Sequence, residues 1–481
     1  MTAPDRRPLP SIPPIETLQR VHVIGICGTA MGTLAAMLKE QGRIVTGSDA
    51  MAYPPMSTWL EDRGLEIRSG YRPEHIPDDV DLVVVGNVSR RDNPESVAAH
   101  ERGLLCLSMP EVLSQLFFPK KRVLAITGTH GKTTTSSMLA WILFHAKRDP
   151  SFFIGGVTGN FQSNYRLGGG EDFVIEGDEY DTAWFDKVPK FWHYPAEHAV
   201  INNIEYDHAD IYPDIESIEH VFRRFAQQIP QTGTLWVNAD DKRARAVASA
   251  TSANLRTFGL GEDADVQAVD IEVTEEGMRC RLRVDGHDEG SVELPTQGVY
   301  NLRNFLAAAG LAASVGVPWT ASIAAIAEFR TPRRRQEFVG EARDIRVFDD
   351  FAHHPSAVTE TLTALRAQFP GARLHVAFEA KSNTSRRSVF QTAYVDAFAL
   401  ADSVTLAPPW KQDNLPESMK LSIPKLVSDL QSRGVPTATF DENDAIADHC
   451  IAQAEPGDIL VVLSGSNFGG LPLMLLERLQ S

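Results

Sequence analysis

Cysteine is scarce in this 481-residue chain, with four at positions 27, 106, 280 and 450 and no C-x-x-C pair. That scatter excludes a disulfide framework and a cysteine zinc site, and reads as four small buried hydrophobes. Long apolar runs are missing too: no window reaches the roughly 18 uncharged apolar residues that cross a bilayer. The start, MTAPDRRPLPSIPPIETL, is proline-rich without an apolar stretch, so no secretory leader is expected and the chain is read as cytoplasmic. Positive charge is short as well. Lys and Arg number 46 against 63 Asp and Glu, a net charge of −17. The basic clusters at 333–335 and 386–387 are too short to grip a phosphate backbone, which excludes general nucleic-acid binding.

Against these absences stands one dense motif. Residues 123–138, VLAITGTHGKTTTSSM, run an apolar strand into a glycine-bounded turn, a lysine and a row of hydroxyl residues ahead of a helix. Gly128 and Gly131 let successive N–H groups point inward, Lys132 adds a charge, and the helix adds its positive end. Thr133 would hold Mg²⁺ through its hydroxyl. The turn departs from the standard G-x-x-x-x-G-K phosphate loop, which needs glycine where Ile126 stands. A plain G-K-T is more often an ordinary turn. Here a strand before it and an amphipathic segment at 136–145 after it supply the context of a nucleotide phosphate site.

A chain of this length divides into about three domains. The first, 1–119, opens with a strand at 21–27, a glycine turn, a helix ending near Gln41 and a strand at 44–47, and continues with strands at 82–86 and 104–107. This is a βαβ unit. Its glycines, Gly25, Gly28 and Gly32, give G-x-x-G-x-x-x-G rather than G-x-G-x-x-G. On this domain alone a nicotinamide dehydrogenase stands as an alternative, with Asp49 suited to a ribose hydroxyl; the phosphate loop that follows counts against it. The second domain, 120–331, begins at the phosphate-loop strand and carries strands around 173–175 and 199–202. Alternating runs at 265–294 then read as antiparallel strands, followed by helices at 301–315 and 320–329. The third, 332–481, alternates strands near 345–348, 374–378, 404–406 and 458–463 with helices. The expected fold is α/β in three domains, Rossmann-like at both ends and P-loop ATPase-like with a small antiparallel sheet in the middle.

Carboxylates and an imidazole bear on what is done with the phosphate. FVIEGDEYD, 173–181, ends an apolar strand on Glu176 and follows it with three more carboxylates. Carboxylates beside a phosphate loop are natural Mg²⁺ ligands, although charge alone reads more simply as a solvated acidic turn. The strand at 199–203 runs into IEYDH, ending on His208. A lone loop histidine is usually structural. Phosphate loop, Glu176 and His208 nonetheless each follow an apolar strand, and strand ends of a parallel sheet share one edge.

GTHGKTTT, VIEGDEYD, NNIEYDHADIY, QGVYNLRNFLAAAG, RRRQEF and DDFAHHP, in this order, resemble the Mur ligases, ATP-dependent amide ligases that build the peptide stem of the bacterial cell wall. The resemblance covers nearly the whole chain. HVIGICGTAMG is similar to members that take UDP-N-acetylmuramic acid itself. GSDAMAYPPMST, GGVTGNFQSNYRLG, EYDTAWFDKVPKFWHY, DHADIYPDI and EAKSNT resemble members that attach the recycled tripeptide L-Ala-γ-D-Glu-meso-diaminopimelate, with those that add L-alanine as the alternative.

The resemblance implies roles residue by residue. ATP phosphates would lie on Thr129, His130, Gly131, Lys132, Thr133 and Thr134, with Lys132 stabilising the transferred phosphoryl group. Thr133, Glu176 and His208 would hold Mg²⁺. Asn301, with Asn304 one turn on, would contact adenine, while Arg335 and Asp350 from the third domain would reach phosphate and ribose, so that ATP favours closure. UDP would sit at Gly28, Thr29, Ala30, Met31 and Gly32, with Asp49 on ribose or uracil. His130, Asn160 and Arg166 match positions near the muramyl group. His353 and His354 would assist the acceptor amine, against a competing reading as a packed turn before Pro355. Lys381, Ser382 and Asn383 would take the tripeptide's carboxylates.

Three departures bear on this. Tyr300 stands where many relatives have histidine, and Lys381 where arginine is expected, which keeps charge but removes bidentate recognition. No lysine lies between His208 and Lys242, whereas some sister ligases use a carbamylated lysine there for a second magnesium. A non-catalytic nucleotide-binding regulator is the remaining class, and Lys132, Glu176 and His208 together count against it. No oligomeric state is implied.

Overall fold

The computed structural model describes residue 7, residues 10–52 and residues 56–481. Most of the proline-rich start, and Tyr53, Pro54 and Pro55 of the GSDAMAYPPMST motif, lie outside the described residues.

Among the described residues three large sheets follow one another along the chain, with a two-stranded ribbon, Asp181–Ala183 and Asp186–Pro189, beside them, and the interior parallel strands of each are largely apolar and buried. The first has five parallel strands in the order Glu66–Ser69, Ile44–Asp49, Arg20–Ile24, Leu82–Val85 and Cys106–Ser108. Strand order reverses beside Arg20–Ile24, so the crevice at that strand's C-terminal end lies where the glycine turn enters the helix Thr29–Glu40. The edge strand Glu66–Ser69 was not expected; its polar sequence EIRS leaves no residue fully buried and gives no apolar signal.

The central sheet has ten strands, ordered His287–Leu294, Met278–Val284, Val266–Val273, Asn254–Gly259, Thr234–Asn238, Ala196–Ile201, Arg122–Thr127, Asp172–Glu176, Ser151–Phe153 and Tyr165–Arg166. The antiparallel strands expected at 265–294 continue this sheet, joined to it by the parallel pairs Phe258 with Val266 and Gly259 with Gln267. Register sets the functional edge. Ile126 pairs with Glu176, and Thr127 with Ile201, so the phosphate loop, Glu176 and the segment leading to His208 emerge side by side.

The helix after the phosphate loop, Lys132–His145, departs from the amphipathic expectation. Ten of its 14 residues are buried, because it packs against the sheet on one side and the helices Val299–Ser314 and Trp319–Ile326 on the other. The third sheet runs Glu337–Ala342, Ile345–Asp350, Ile459–Ser464, Leu374–Glu379, Ser403–Leu406 and Thr437–Thr439, parallel except for its first strand. That strand folds back through Arg343 and Asp344, both with positive φ (53° and 59°), the conformation of a tight hairpin turn. Among the described residues no helix is long and apolar enough to cross a membrane.

Gly310 lets the helix Val299–Ser314 lie on the sheet: a Cβ there would stand 2.8–2.9 Å from the Trp236 indole. Gly-to-Ala inside a helix normally gains about 0.5–1 kcal/mol. Gly310→Ala is instead expected to lose about 1–3 kcal/mol in urea unfolding through overpacking, and a net gain would contradict this packing.

Candidate active site

The phosphate loop turns on two glycines in the left-handed region, Gly128 (φ 129°) and Gly131 (φ 80°), the second capping the helix Lys132–His145. A Cβ on Gly131 would lie 2.3 Å from Asn304 Oδ1, so no larger residue fits. The N–H groups of Thr129 and His130 do not face the cleft as the sequence suggested. They donate to the carbonyl and side-chain oxygen of Asn203, at 3.0 and 2.7 Å. The anion cradle is therefore the first turn of the helix, whose N–H groups have no partners within it.

Lys132 crosses this cradle. Its Nζ donates to Gly128 O at 2.6 Å and to Glu179 Oε2 at 2.8 Å, and His208 Nε2 lies 2.9 Å from Glu179 Oε1. Glu179, 1% exposed, was not singled out from the sequence, because an acidic run does not show which carboxylate turns inward. Burial would lower the Lys132 pKa, but Glu179 and Asp178 outweigh it and hold the pKa above the ordinary lysine value. Burial opposes a charged His208 in the same way, and Asp207 and Glu179 overcome it, raising the imidazole to about 9.

Thr133 Oγ1 sits 3.1 Å from both oxygens of Glu176, which also accepts from the Gly155 N–H at 2.8 Å. Burial raises the Glu176 pKa above the usual carboxylate value. The set expected around magnesium is thus split: Thr133 and Glu176 touch each other, while His208 faces Glu179.

The third domain closes the cleft. Arg335 Nη2 approaches Thr133 Oγ1 at 3.4 Å, with its guanidinium 4.8 Å from the Phe351 ring. Asp350 is pinned by the N–H groups of Gln336 and Ala352, each at 2.7 Å. His353 Nδ1 donates to Phe351 O at 2.9 Å, leaving Nε2 as the acceptor, and burial lowers its pKa. Thr129, His130, Lys132, Glu176, His208, Asn301, Asn304, Arg335, Asp350 and His353 all line this one cleft, with Tyr300 beside them.

Several expected residues, in the cleft or away from it, already hold protein partners. Asn301 and Asn304 are buried, and their amides bond each other (3.1 Å), Gln297 O (2.7 Å) and Thr135 (3.1 Å), bracing the helix under the cleft. His354, which also lines the cleft, caps the helix Pro355–Gln368, accepting from Ser356 N–H at 3.2 Å and donating to Tyr206 O at 3.2 Å, the geometry of a packed turn before Pro355. Burial, then His130, depresses its pKa to about 4. Asn160 bridges Glu328 O and Arg330 N–H (2.9 and 2.8 Å), and Arg166 is held by Asp149 and Pro150 O; neither lines the cleft.

Ser382 exchanges hydrogen bonds with Ser385, and Asn383 donates to Asp210 at 2.7 Å across the domain boundary, which leaves Lys381, 3.5 Å from Glu379, as the available cation of the three. On the first domain Gly28 and Thr29 are exposed and Ala30 is half-buried, but Met31 and Gly32 are buried. Gly32 serves close packing, since a Cβ would lie 2.9 Å from Ile26 O. Asp49 accepts from the Cys27 N–H at 2.9 Å, fixing the turn.

Three successive family models match the chain: the Mur ligase family catalytic domain at residues 20–120, the Mur ligase middle domain at 126–312 and the Mur ligase glutamate ligase domain at 334–467. The chain belongs to the Mur ligase family. It is 38% identical to the Escherichia coli UDP-N-acetylmuramate–L-alanyl-γ-D-glutamyl-meso-2,6-diaminoheptandioate ligase over 96% of this chain and 98% of that one. It is 33% identical to the UDP-N-acetylmuramate–L-alanine ligase of Acidothermus cellulolyticus, covering 97% and 96%. The crystal structure of a murein peptide ligase from Psychrobacter arcticus superposes with a TM-score of 0.73 at 33% identity, over 96% of this chain and 99% of that one.

The raised His208 pKa stabilises the fold fully below pH 6.5, and that contribution is lost as the pH rises through about 9. With divalent ions chelated, thermal unfolding is expected to show a loss on the order of 3 kcal/mol across that window, flattened in His208→Gln. A wild-type profile that rises there would contradict the His208–Glu179 pairing.

Proposed function

We propose that this protein is an ATP-dependent ligase that joins the lactyl carboxylate of UDP-N-acetylmuramic acid to the amine of L-Ala-γ-D-Glu-meso-diaminopimelate. The observation that carries the reading is the cleft itself, where Lys132 and the helix start on the central domain face Arg335 on the third. That is a cationic clamp on a transferring phosphoryl group. The tight turn at Gly131, packed against Asn304, sets the start of the helix whose first-turn N–H groups suit a phosphate chain.

The donor set also fits magnesium. Thr133 and Glu176 offer hard oxygens, and Glu176 is a half-buried carboxylate whose hydrogen-bond donors are a hydroxyl and a backbone N–H. These two residues would hold Mg²⁺, and His208 would join them by leaving Glu179. When bound, the ion would neutralise charge on the nucleotide phosphates.

Lys132 stabilises charge as the lactyl carboxylate attacks the γ-phosphorus and ADP leaves, giving an acyl phosphate. The acceptor amine then attacks the acyl carbon and inorganic phosphate departs. His353, neutral through burial and with Nε2 free to accept, takes the proton the amine loses. The UDP group lies at the first domain's crevice, against Gly28, Thr29 and Ala30. Lys381 meets a carboxylate of the acceptor. The tripeptide reading is supported by relatives named for that acceptor at 38% and 36% identity, against 33% for one named for L-alanine. On this reading the enzyme works in the bacterial cytoplasm on a recycled cell-wall peptide.

With ATP, Mg²⁺ and UDP-N-acetylmuramic acid fixed, phosphate release is expected with the tripeptide and far more weakly with L-alanine; preference for L-alanine would overturn the assignment. In the same assay Lys132→Ala is expected to lower kcat by about 10²–10³-fold. A variant retaining wild-type kcat would remove Lys132 from the phosphoryl clamp.

A further inference from the structure

Glu205, in the loop after the strand Ala196–Ile201, touches both the phosphate loop and the third domain. Its backbone N–H donates to Thr129 Oγ1 at 2.9 Å, and its carbonyl accepts from the same hydroxyl at 3.3 Å, so its main chain is tied to the phosphate loop. Its carboxylate accepts from Ser356 Oγ at 2.5 Å, in the first turn of the third-domain helix Pro355–Gln368. The same Oε2 lies 3.5 Å from His130 Nε2 on the phosphate loop and 3.4 Å from His354 Nδ1 on the third domain, and the two imidazole rings are 4.7 Å apart. His130 Nε2 is buried without a hydrogen-bond partner, so Glu205 is the counter-charge nearest to it in this cluster. Next along the chain, the Tyr206 carbonyl accepts from His354 Nε2 at 3.2 Å.

We propose that Glu205 is a positioning residue that couples occupancy of the phosphate loop to docking of the third domain. The proposal rests on the ATP-ligase reading above and extends it. When the third domain moves away, the carboxylate loses Ser356 and keeps His130. When phosphates reorganise Thr129 and His130, the same carboxylate is displaced from the other side. One group is therefore biased by both events, which is the condition for energetic coupling between sites. Glu205 touches neither the phosphoryl cradle nor Lys132, so it acts through Thr129, His130 and the third-domain helix. The polar boundary suits this: Arg335 to Thr133, His354 to Tyr206 and Thr384 to the Ala209 N–H are hydrogen bonds that water replaces when the domains part.

The test uses the full-length protein. Small-angle scattering measures compaction on adding Mg²⁺ and a non-hydrolysable ATP analogue, and phosphate release gives kcat and the KM for each substrate. Glu205→Ala is expected to weaken compaction and raise the KM for ATP about tenfold, with affinity for UDP-N-acetylmuramic acid unchanged. Glu205→Gln, which keeps an acceptor for Ser356, is expected to recover part of both. Ser356→Ala removes only the third-domain partner, and the Glu205→Ala/Ser356→Ala double variant is expected to be no worse than the weaker single variant. Unchanged compaction and ATP KM in both single variants would overturn the proposal, as would effects that simply add. The two readings fail separately: compaction reports on Glu205 even if neither acceptor supports turnover, whereas absent turnover in the wild type counts against the ligase assignment.

Discussion

Lys132 stands at the start of a helix whose first turn already directs positive charge into the cleft, and only 13% of its side chain is exposed there. A largely buried ammonium in that position persists because Glu179 accepts from it, and Glu179 in turn is held by His208 and by the Tyr212 hydroxyl, which donates to its carbonyl at 2.6 Å. Removing one partner from such a pair leaves an uncompensated charge, at a cost of about 3–5 kcal/mol. The register of the three central strands follows from this requirement. Shifting any of them would carry Thr127, Glu176 or the approach to His208 away from the shared edge. The lysine is thus positioned before any phosphate arrives, and an incoming anion competes with Glu179 rather than having to recruit a mobile side chain.

The first and third domains meet this edge by different physics. The first carries its crevice at a strand-order reversal, and Asn164 of the central domain donates to Thr33 on its helix at 2.6 Å, while apolar residues of both domains share one core cluster. The third has its own core, and the boundary beside the cleft carries hydrogen bonds from Arg335 to Thr133, His354 to Tyr206 and Asn383 to Asp210. A polar boundary of that kind exchanges readily with water, which fits a domain that must admit substrate and then exclude solvent.

Much of the fold was legible because buried parallel strands are continuous apolar runs, as in the stretches at 123–127, 199–201 and 459–463. Of the strands that escaped, Glu66–Ser69, Glu337–Ala342 and Thr437–Thr439 are edge strands, short or polar, whereas Ser151–Phe153, Thr234–Asn238 and Asn254–Gly259 lie inside the central sheet. In the site, residues at strand ends and in the glycine turn could be placed because backbone topology alone brings them together. The contacts of Asn160, Arg166, Ser382 and Asn383 with Glu328, Asp149, Ser385 and Asp210 are set by loop packing that sequence spacing does not encode. Glu179 escaped for a related reason: four carboxylates within six residues look alike until the fold turns one of them inward.

The central claim is that the cleft transfers the γ-phosphoryl group to a substrate carboxylate, which then yields one of its oxygens to the departing phosphate. UDP-N-acetylmuramic acid labelled with ¹⁸O in its lactyl carboxylate tests this directly when turned over with ATP and the tripeptide. The account predicts one ¹⁸O in each released phosphate and one retained in the amide carbonyl. Phosphate free of label, with amide still formed, would contradict it.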